Sequence, residues 1–183
     1  TDGWYIELVP SRMGFRAAQQ NLYRTIASGR RDLLEVLCGL RASTLSPKPR
    51  QLEGLNPRQM EAVSAAMDST DACLIEGPPG TGKTTVIARA IKELAGTKRI
   101  LVCAQTNNAL DTVLEKLVKE GVPFLRVGAS HRCEGLARTL GRAGIPLNEA
   151  FSDDLAQSLD SVDALNQILL NTSVIACTVY SVS

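Results

Sequence analysis

Residues 77–84 read Gly-Pro-Pro-Gly-Thr-Gly-Lys-Thr, and they follow the short apolar run 72–75. This spacing of glycines, lysine and threonine is the G-x-x-x-x-G-K-[ST] pattern of phosphate-binding loops. Glycine lets the backbone curl and bring its N–H groups close to phosphate oxygens, while the dipole of the following helix adds positive potential. The motif therefore predicts a polyphosphate site in a strand–loop–helix unit. The alternative is a glycine-rich turn with an exposed lysine.

Two side chains of the loop have distinct chemical roles in this prediction. Lys83 provides a mobile positive charge for the β- and γ-phosphates, and Thr84 provides a hydroxyl ligand for Mg²⁺. We therefore expect ATP with Mg²⁺ as the cofactor, and Lys83 and Thr84 as the residues that take part in phosphoryl transfer. The predicted nucleotide-contacting residues of the loop are Gly77, Pro78, Pro79, Gly80, Thr81, Gly82, Lys83, Thr84 and Thr85.

The composition is that of an ordinary globular domain, with 183 residues, 44% hydrophobic residues, 21% charged residues and a net charge of +1. This length allows one full core and a small appendage. The charge is unevenly distributed, since residues 10–50 hold eight Lys or Arg residues against two acidic ones. A basic segment on a nearly neutral chain favours a phosphate-facing surface. The alternative is a solvated helix face without a ligand.

The five cysteines form no C-x-x-C pair, and three of them lie inside apolar, strand-like runs. This pattern predicts free thiols in a reducing intracellular compartment, cytoplasmic or nuclear. His131 is the single histidine, and with Cys133 it makes at best half a zinc ligand set, so we expect a surface loop there. The sequence contains no apolar run of membrane-spanning length and no signal-peptide pattern, so no membrane partner is predicted.

The order of patterns predicts four parts. Apolar and polar residues alternate over 4–9, which predicts a strand, and helical patterns follow over 11–28 and 32–40. Serines and prolines then interrupt the pattern, until Asn56-Pro57 opens a further helix as N-cap and first helical position. The predicted parts are residues 1–10, the helical segment 11–41, the linker 42–54, and a larger domain, 55–183.

Strands and helices are predicted to alternate within the larger domain. The predicted strands are 72–75, 100–104, 124–127 and 174–179, and the predicted helices between them are 84–94, 108–120 and 154–170. Residues 128–150 are irregular or weakly helical in pattern. Such alternation predicts an α/β fold with three layers and a largely parallel sheet.

Three segments beyond the phosphate loop resemble helicase motifs. Residues 55–63 read Leu-Asn-Pro-Arg-Gln-Met-Glu-Ala-Val, residues 102–111 read Val-Cys-Ala-Gln-Thr-Asn-Asn-Ala-Leu-Asp, and residues 174–178 read Val-Ile-Ala-Cys-Thr. In this order they resemble the Q motif, motif Ia and a later strand of superfamily 1B helicases, in the branch that contains the nonsense-mediated-decay helicase and senataxin. The two arginine-rich helices resemble that family's stalk, and residues 4–9 resemble the last strand of its accessory β-barrel. The resemblance spans nearly the whole chain.

The resemblance implies roles for individual residues. Gln59 matches the glutamine that contacts adenine, and a side-chain amide suits the N6/N7 edge because it donates and accepts. Thr106 and Asn107 match motif Ia positions that contact the sugar-phosphate backbone of a nucleic acid, and Thr178 is a further candidate for that contact. The alternatives are a surface glutamine, an N-cap for the next helix, and a strand-end threonine. Arg126 could face a phosphate, or it could be a strand residue whose head reaches water.

The resemblance also implies that the chain is the first RecA-like P-loop domain of a longer protein. The family's Asp-Glu motif is expected soon after Val179, and a second RecA-like domain with arginine fingers is expected in the parent protein. One departure from the family lies in motif Ia, where Gln105-Thr106 replaces Pro-Ser and frees a backbone N–H.

The implied function is the ATP-binding half of a nucleic-acid-dependent ATPase or helicase that translocates 5′→3′ on single-stranded RNA or DNA. Its expected partners are that strand and the second RecA-like domain. The fragment alone is expected to bind Mg-nucleotide and to hydrolyse ATP slowly or not at all. Two alternatives are a nucleotide-dependent switch that binds nucleic acid or protein without unwinding, and a small-molecule kinase.

Overall fold

The computed structural model describes residues 12–159 and 161–179, and within them it contains nine α-helices, one short 3₁₀ helix and three strands. The strands are β1 (Ile100–Ala104), β2 (Leu125–Arg126) and β3 (Val174–Thr178), and the 3₁₀ helix is Ser130–Arg132. The α-helices are α1 (Arg12–Ser28), α2 (Arg31–Leu37), α3 (Pro57–Asp68), α4 (Lys83–Ala95), α5 (Asn107–Lys119), α6 (Glu134–Arg142), α7 (Leu147–Ala150), α8 (Ser152–Gln157) and α9 (Val162–Asn171).

The sheet is parallel throughout, with β3 between β1 and β2. β1 and β3 are paired over their full lengths, from Ile100 opposite Val174 to Ala104 opposite Thr178. On the other side of β3, Arg126 lies opposite Ala176. Because the three strands run in one direction, the segments that follow them leave from the same edge of the sheet. This arrangement confirms the predicted α/β fold with a parallel sheet.

The main core lies between one face of the sheet and the helices α4, α5 and α6. Leu110, Leu114 and Leu117 of α5 are fully buried, as the apolar stripe of that helix predicts. They pack in one cluster with Val102 of β1 and Val174 of β3. Alternate strand residues point to the opposite face, where the side chain of Leu101 is 58% exposed.

A second cluster joins α3 to α4. Val63 of α3 and Val86 of α4 are buried together with Leu52, and Met60 and Met67 pack against them. The start of α3 is a capping box, in which the side chain of Asn56 accepts from the backbone N–H of Gln59, and the side chain of Gln59 accepts from that of Asn56. The predicted N-cap is therefore confirmed.

The segment before α3 is fastened to the end of that helix by charged groups. Arg50 donates two hydrogen bonds to the carboxylate of Asp68, at 2.5 and 2.7 Å, and the backbone N–H of Lys48 donates to the same group at 2.7 Å. Arg41 similarly contacts Asp71 at 3.2 Å. The guanidinium of Arg50 holds the pKa of the Asp68 carboxyl well below its ordinary value of 3.8.

Most helices and strands lie close to their predicted bounds, including α1, α2, α5, β1 and β3, but the predicted strand 72–75 was wrong. Residues 72–78 have no strand pairing, and the side chain of Leu74 is 94% exposed. A strand needs a hydrogen-bonded neighbour, and among the described residues β1 is paired only with β3. An apolar run alone does not supply that neighbour. The predicted strand 4–9 lies outside the described residues.

The region after β2 is more helical than predicted. Residues 128–150 contain α6, whose Leu136 and Leu140 are buried one turn apart, in addition to the short α7. The predicted helix 154–170 is instead two helices, α8 and α9. The hydroxyl of Ser161 accepts from the backbone N–H of Ala164 and begins α9 as an N-cap, which explains the break.

The Arg50–Asp68 contact predicts a pH-dependent contribution to stability. Because the pKa of Asp68 is lowered on folding, the contribution is fully present above the unfolded pKa and is lost as the pH falls below it, from about 4 downwards. The substitution Asp68→Asn should therefore lower the melting temperature clearly at pH 7 and less at pH 3. Glu61→Gln, at an exposed position of α3, is the matched control. A melting-temperature deficit of Asp68→Asn that is the same at both pH values would contradict the prediction.

Candidate functional site

The glycine-rich loop leads directly into α4 and has the backbone shape that glycine permits. Gly80 and Gly82 have φ angles of +81° and +86°, and Gly82 is the N-cap of α4. These angles lie in the left-handed region, which favours glycine. A Cβ on Gly82 would also lie 2.5 Å from Nε2 of Gln59. Two requirements at one position, the φ angle and the close approach, therefore explain this glycine.

Lys83 is the first residue of α4, and its side chain turns back over the loop. The ammonium group donates hydrogen bonds to the backbone oxygens of Gly77 and Pro78, the latter at 2.8 Å. The hydroxyl of Thr81 donates to the same Pro78 oxygen at 2.8 Å. The carbonyl groups of the loop thus hold the amine next to the N-terminus of α4, where a phosphate group would lie.

Gln59 connects α3 to the loop. Its Nε2 donates to the backbone oxygen of Thr81 at 3.1 Å, and its Oε1 accepts from the backbone N–H of Asn56 at 3.1 Å. A side-chain amide has two donor hydrogens and two acceptor sites, so one of each remains after these two bonds. Gln59 is half-buried and can therefore contact a further polar group without giving up either bond.

These residues surround a cavity of about 310 Å³ between α3 and the loop. Its walls include the predicted residues Gln59, Gly77, Pro78, Thr81 and Lys83. The residues fit a nucleotide, because a helix N-terminus, a lysine and an amide converge on one cavity, and the absence of a Cβ at Gly82 lets the amide of Gln59 lie against the loop. Arg58 and Glu76 also line the cavity. Neither was predicted as a site residue, although Arg58 lies within the segment that resembles the Q motif and Glu76 directly precedes the glycine-rich loop.

The remaining loop residues lie around this cavity or beyond it. Pro79 and Gly80 are exposed at the tip of the loop, and Thr84 is half-buried in the first turn of α4. Thr85 lines a separate cavity of about 200 Å³ between α4 and α5, where its hydroxyl accepts from the ammonium of Lys116 at 2.8 Å. The structure therefore brings Thr85 to α5 instead of to the cavity that Gln59 lines.

The predicted nucleic-acid residues lie at a different place, the edge of the sheet where the strands end. The hydroxyl of Thr106 accepts from the backbone N–H of Ala109 at 3.3 Å, so Thr106 is the N-cap of α5. Asn107 is exposed in the first turn of that helix. Thr178 ends β3 opposite Ala104, two residues before Thr106. The parallel register thus brings all three candidates to one edge.

Arg126 lies beneath this edge and is 3% exposed. Its Nε donates to Asp111 of α5 at 2.9 Å, a second nitrogen donates to Oδ1 of Asn107 at 2.9 Å, and a third donates to the backbone oxygen of Val127 at 3.1 Å. The guanidinium also lies 6.0 Å from the ring centre of Phe151. Neither alternative for Arg126 is found: its head faces neither a phosphate nor water, because the buried carboxylate of Asp111, the side-chain oxygen of Asn107 and the backbone oxygen of Val127 accept its hydrogen bonds.

The contact between Arg126 and Asn107 orients the Asn107 amide. The side-chain oxygen faces the guanidinium and accepts its hydrogen bond. The Nδ2 group is therefore directed away from Arg126, and its two hydrogens are available as donors. One signal in the sequence could have revealed this network: Asp111 lies beside Leu110 on the buried side of α5, and a charge at such a position needs a partner.

Comparison with known proteins agrees with the fold and the loop. Residues 54–141 match a family model described as an AAA domain. The match extends from α3 through the glycine-rich loop, α4, β1, α5 and β2 into α6, and this part of the chain is a RecA-like P-loop domain. Three curated relatives are named as a DNA replication ATP-dependent helicase/nuclease, as a DNA polymerase alpha-associated DNA helicase and as a DNA-binding protein. The chain is thus related to the superfamily 1 helicases, as its motifs predicted.

Three relatives illustrate the extent of this similarity. The chain is 44% identical over 79 residues to the DNA replication ATP-dependent helicase/nuclease DNA2 of Saccharomyces cerevisiae, covering 43% of this chain and 5% of that protein. It is 34% identical over 113 residues to the DNA polymerase alpha-associated DNA helicase A of Schizosaccharomyces pombe, covering 57% and 17%. It is 38% identical over 150 residues to the DNA-binding protein SMUBP-2 of Rattus norvegicus, covering 74% and 15%. The chain therefore spans less than a fifth of each of these relatives.

None of the described helices has the length and apolar character needed to cross a membrane.

The buried Arg126 network predicts a large effect of one substitution. Arg126→Met removes the guanidinium and leaves the carboxylate of Asp111 without its partner, so the free energy of unfolding should fall by about 3 kcal/mol. The double substitution Arg126→Met with Asp111→Asn should recover part of this loss, because no uncompensated charge remains. Urea denaturation measures both, with Arg142→Met at an exposed position of α6 as the control. Equal stability of Arg126→Met and Arg142→Met would show that the network does not stabilise the fold.

Proposed function

We propose that this chain is the ATP-binding RecA-like domain of a nucleic-acid-dependent ATPase of the helicase class. The observation that carries the proposal is the junction between α3 and the glycine-rich loop, where Gln59 hydrogen-bonds Thr81 and a Cβ on Gly82 would lie 2.5 Å from its amide. The proposed base-contacting group and the proposed phosphate-contacting loop are thereby held at one cavity. A nucleotide needs both kinds of contact at once.

The roles of the site residues follow from this geometry. Lys83 would exchange the carbonyls of Gly77 and Pro78 for phosphate oxygens, since an ammonium bonded to an anion gains more than one bonded to a neutral group. Thr84, in the first turn of α4, would provide a hydroxyl for Mg²⁺. Gln59 would use its remaining donor and acceptor for adenine. ATP with Mg²⁺ supplies the phosphoryl group and its charge compensation, and these residues bind and orient it.

The nucleic-acid site would be the edge of the sheet where β1 and β3 end. Neutral donors such as Thr106 and the Nδ2 group of Asn107 suit sequence-independent contacts to the phosphate backbone. Thr178 lies on the neighbouring strand at the same edge. We propose that a single strand of RNA or DNA binds there and that the parent protein moves along it 5′→3′, inside the cell and together with a second RecA-like domain.

The nucleotide site is tested by calorimetric titration of this chain with Mg-ADP. Lys83→Ala should weaken binding about tenfold or more, because a charge-assisted hydrogen bond to phosphate is lost. Lys98→Ala removes an exposed lysine just beyond the end of α4 and should leave the affinity unchanged.

The affinities can be compared directly when the unaltered chain, Lys83→Ala and Lys98→Ala melt at the same temperature. Equal affinities of Lys83→Ala and the unaltered chain would overturn the proposed phosphate role of Lys83. The ATPase proposal itself is tested on the longer protein, where nucleic-acid-stimulated hydrolysis with strand displacement supports a motor. Hydrolysis without displacement supports a nucleotide-dependent switch.

The nucleic-acid site is tested by fluorescence anisotropy with a labelled single-stranded DNA, chosen because two of the three relatives described above carry DNA-binding or DNA helicase names. Asn107→Asp keeps an oxygen for Arg126 but replaces the outward donors with an acceptor that bears a negative charge. It should weaken DNA binding about tenfold, without lowering the melting temperature.

Asn148→Asp makes the same chemical change at an exposed position of α7 and controls for the added charge. A loss of affinity that is equal for the two variants would mean that overall charge, and not the sheet edge, determines binding. A single-stranded RNA of matching sequence, titrated in parallel, measures which nucleic acid is preferred.

A further inference from the structure

Two cysteines lie opposite each other in the centre of the sheet. Cys103 of β1 and Cys177 of β3 are register partners, and their Sγ atoms are 3.5 Å apart. We propose that Cys103 and Cys177 form a redox-sensitive pair, which a peroxide converts into a disulfide across the two parallel strands. Neither the phosphate loop nor the predicted nucleic-acid contacts use these thiols.

The backbone already meets the requirements of a disulfide. Adjacent strands are about 4.8 Å apart, and disulfides join residues whose Cα atoms are about 4.4–6.8 Å apart. Register partners point to the same face of a sheet, so the two side chains face each other. The sulfur atoms must approach by about 1.5 Å to reach bonding distance, which a rotation about χ1 can provide without separating the strands.

The two thiols differ in their access to solvent. Cys103 is exposed, on the sheet face that also leaves Leu101 exposed, whereas Cys177 is 2% exposed. Burial raises the pKa of the Cys177 thiol to about 11, so this group remains protonated at neutral pH. An oxidant from solution therefore meets Cys103 first, and Cys177 is the nearby thiol that can react with the product.

The reaction consists of two balanced steps. The sulfur of Cys103 attacks one oxygen of hydrogen peroxide, the O–O bond breaks, and a sulfenic acid and one water are formed. The sulfur of Cys177 then attacks the Cys103 sulfur, the S–O bond breaks, and the hydroxyl leaves as water with the Cys177 proton. The two thiols are oxidised by two electrons, the peroxide is reduced to two waters, and an external thiol reverses the change.

A disulfide here would act on the edge of the sheet that precedes α5. Cys103 and Cys177 are each one residue before the last pair of the ladder, Ala104 and Thr178, and Thr106 follows two residues later. The bond leaves the spacing of the strands as it is, but it restricts the relative movement of the two strand ends and so limits their adjustment to a bound nucleic acid. If the proposed nucleic-acid site is correct, and this consequence rests on it, the oxidised chain binds single-stranded DNA more weakly than the reduced chain.

The experiment treats the chain with a small excess of hydrogen peroxide and then alkylates the remaining thiols under denaturing conditions. Mass spectrometry of the digested protein should show the peptides of Cys103 and Cys177 joined, with two of the five thiols lost and restored by dithiothreitol. In Cys177→Ala the sulfenic acid on Cys103 should persist and react with dimedone. The variant Cys133→Ala removes another buried thiol and should still form the disulfide.

The outcomes separate the thiol pair from the proposed function. Joined peptides that involve Cys38, Cys73 or Cys133 in place of this pair, or no joined peptides at all, would overturn the proposal. The same oxidised and reduced samples are then titrated with single-stranded DNA. Equal affinities of the two samples would overturn the effect on binding, while failure of the reduced chain to bind DNA would instead overturn the proposed nucleic-acid site.

Discussion

The burial of one positive charge organises the edge of the sheet. A guanidinium cannot be removed from water unless its donors are satisfied, and Arg126 achieves this with Asp111, Asn107 and the backbone of Val127. These partners come from the first half of α5 and from the end of β2, so the position of the helix relative to the sheet is constrained. The hydrogen bond from the guanidinium of Arg126 also orients the exposed amide of Asn107. A buried charge thereby determines the direction of donors at the surface.

The phosphate loop has a comparable dependence on a neighbouring element. Its shape is determined locally by Gly80 and Gly82, but its position relative to α3 is determined by the hydrogen bond from Gln59 to Thr81. The same glutamine belongs to the capping box that begins α3. The start of one helix and the loop before the next are thus joined through one side chain. A small apolar cluster that includes Val63 and Val86 also joins α3 to α4.

The sequence predicted what depends on neighbours along the chain. The glycine-rich loop, the N-cap at Asn56, and the helix and strand patterns of α5 and β1 all follow from local spacing, and the structure confirms them. The α/β fold was likewise predicted from the order of elements, and its RecA-like P-loop type from the resemblance of the motifs to superfamily 1 helicases. Comparison with known families supports that prediction.

The features that the sequence did not predict depend on residues far apart in the chain or on a single capping side chain. The ion pair of Arg126 was not predicted because its partner Asp111 is brought close only by the packing of α5 on the sheet. Residues 72–75 have a strand-like composition, yet a strand exists only where a neighbour pairs with it. The boundary between α8 and α9 depends on one serine cap within a continuous apolar pattern. The helix α6 was not predicted, because glycines lie directly beside its apolar residues Leu136 and Leu140 in the sequence.

The bonds between Lys83 and the carbonyls of Gly77 and Pro78 have a consequence for how tightly a ligand is held. Nucleotide binding as proposed requires two forms of the chain, one in which the loop carbonyls retain the amine and one in which the amine is released. Only the released form offers the full charge to a phosphate. Apparent affinity is the intrinsic affinity multiplied by the fraction released, so a fraction of about one in a hundred weakens binding about a hundredfold. Any contact that loosens the loop carbonyls would therefore strengthen nucleotide binding without touching the nucleotide.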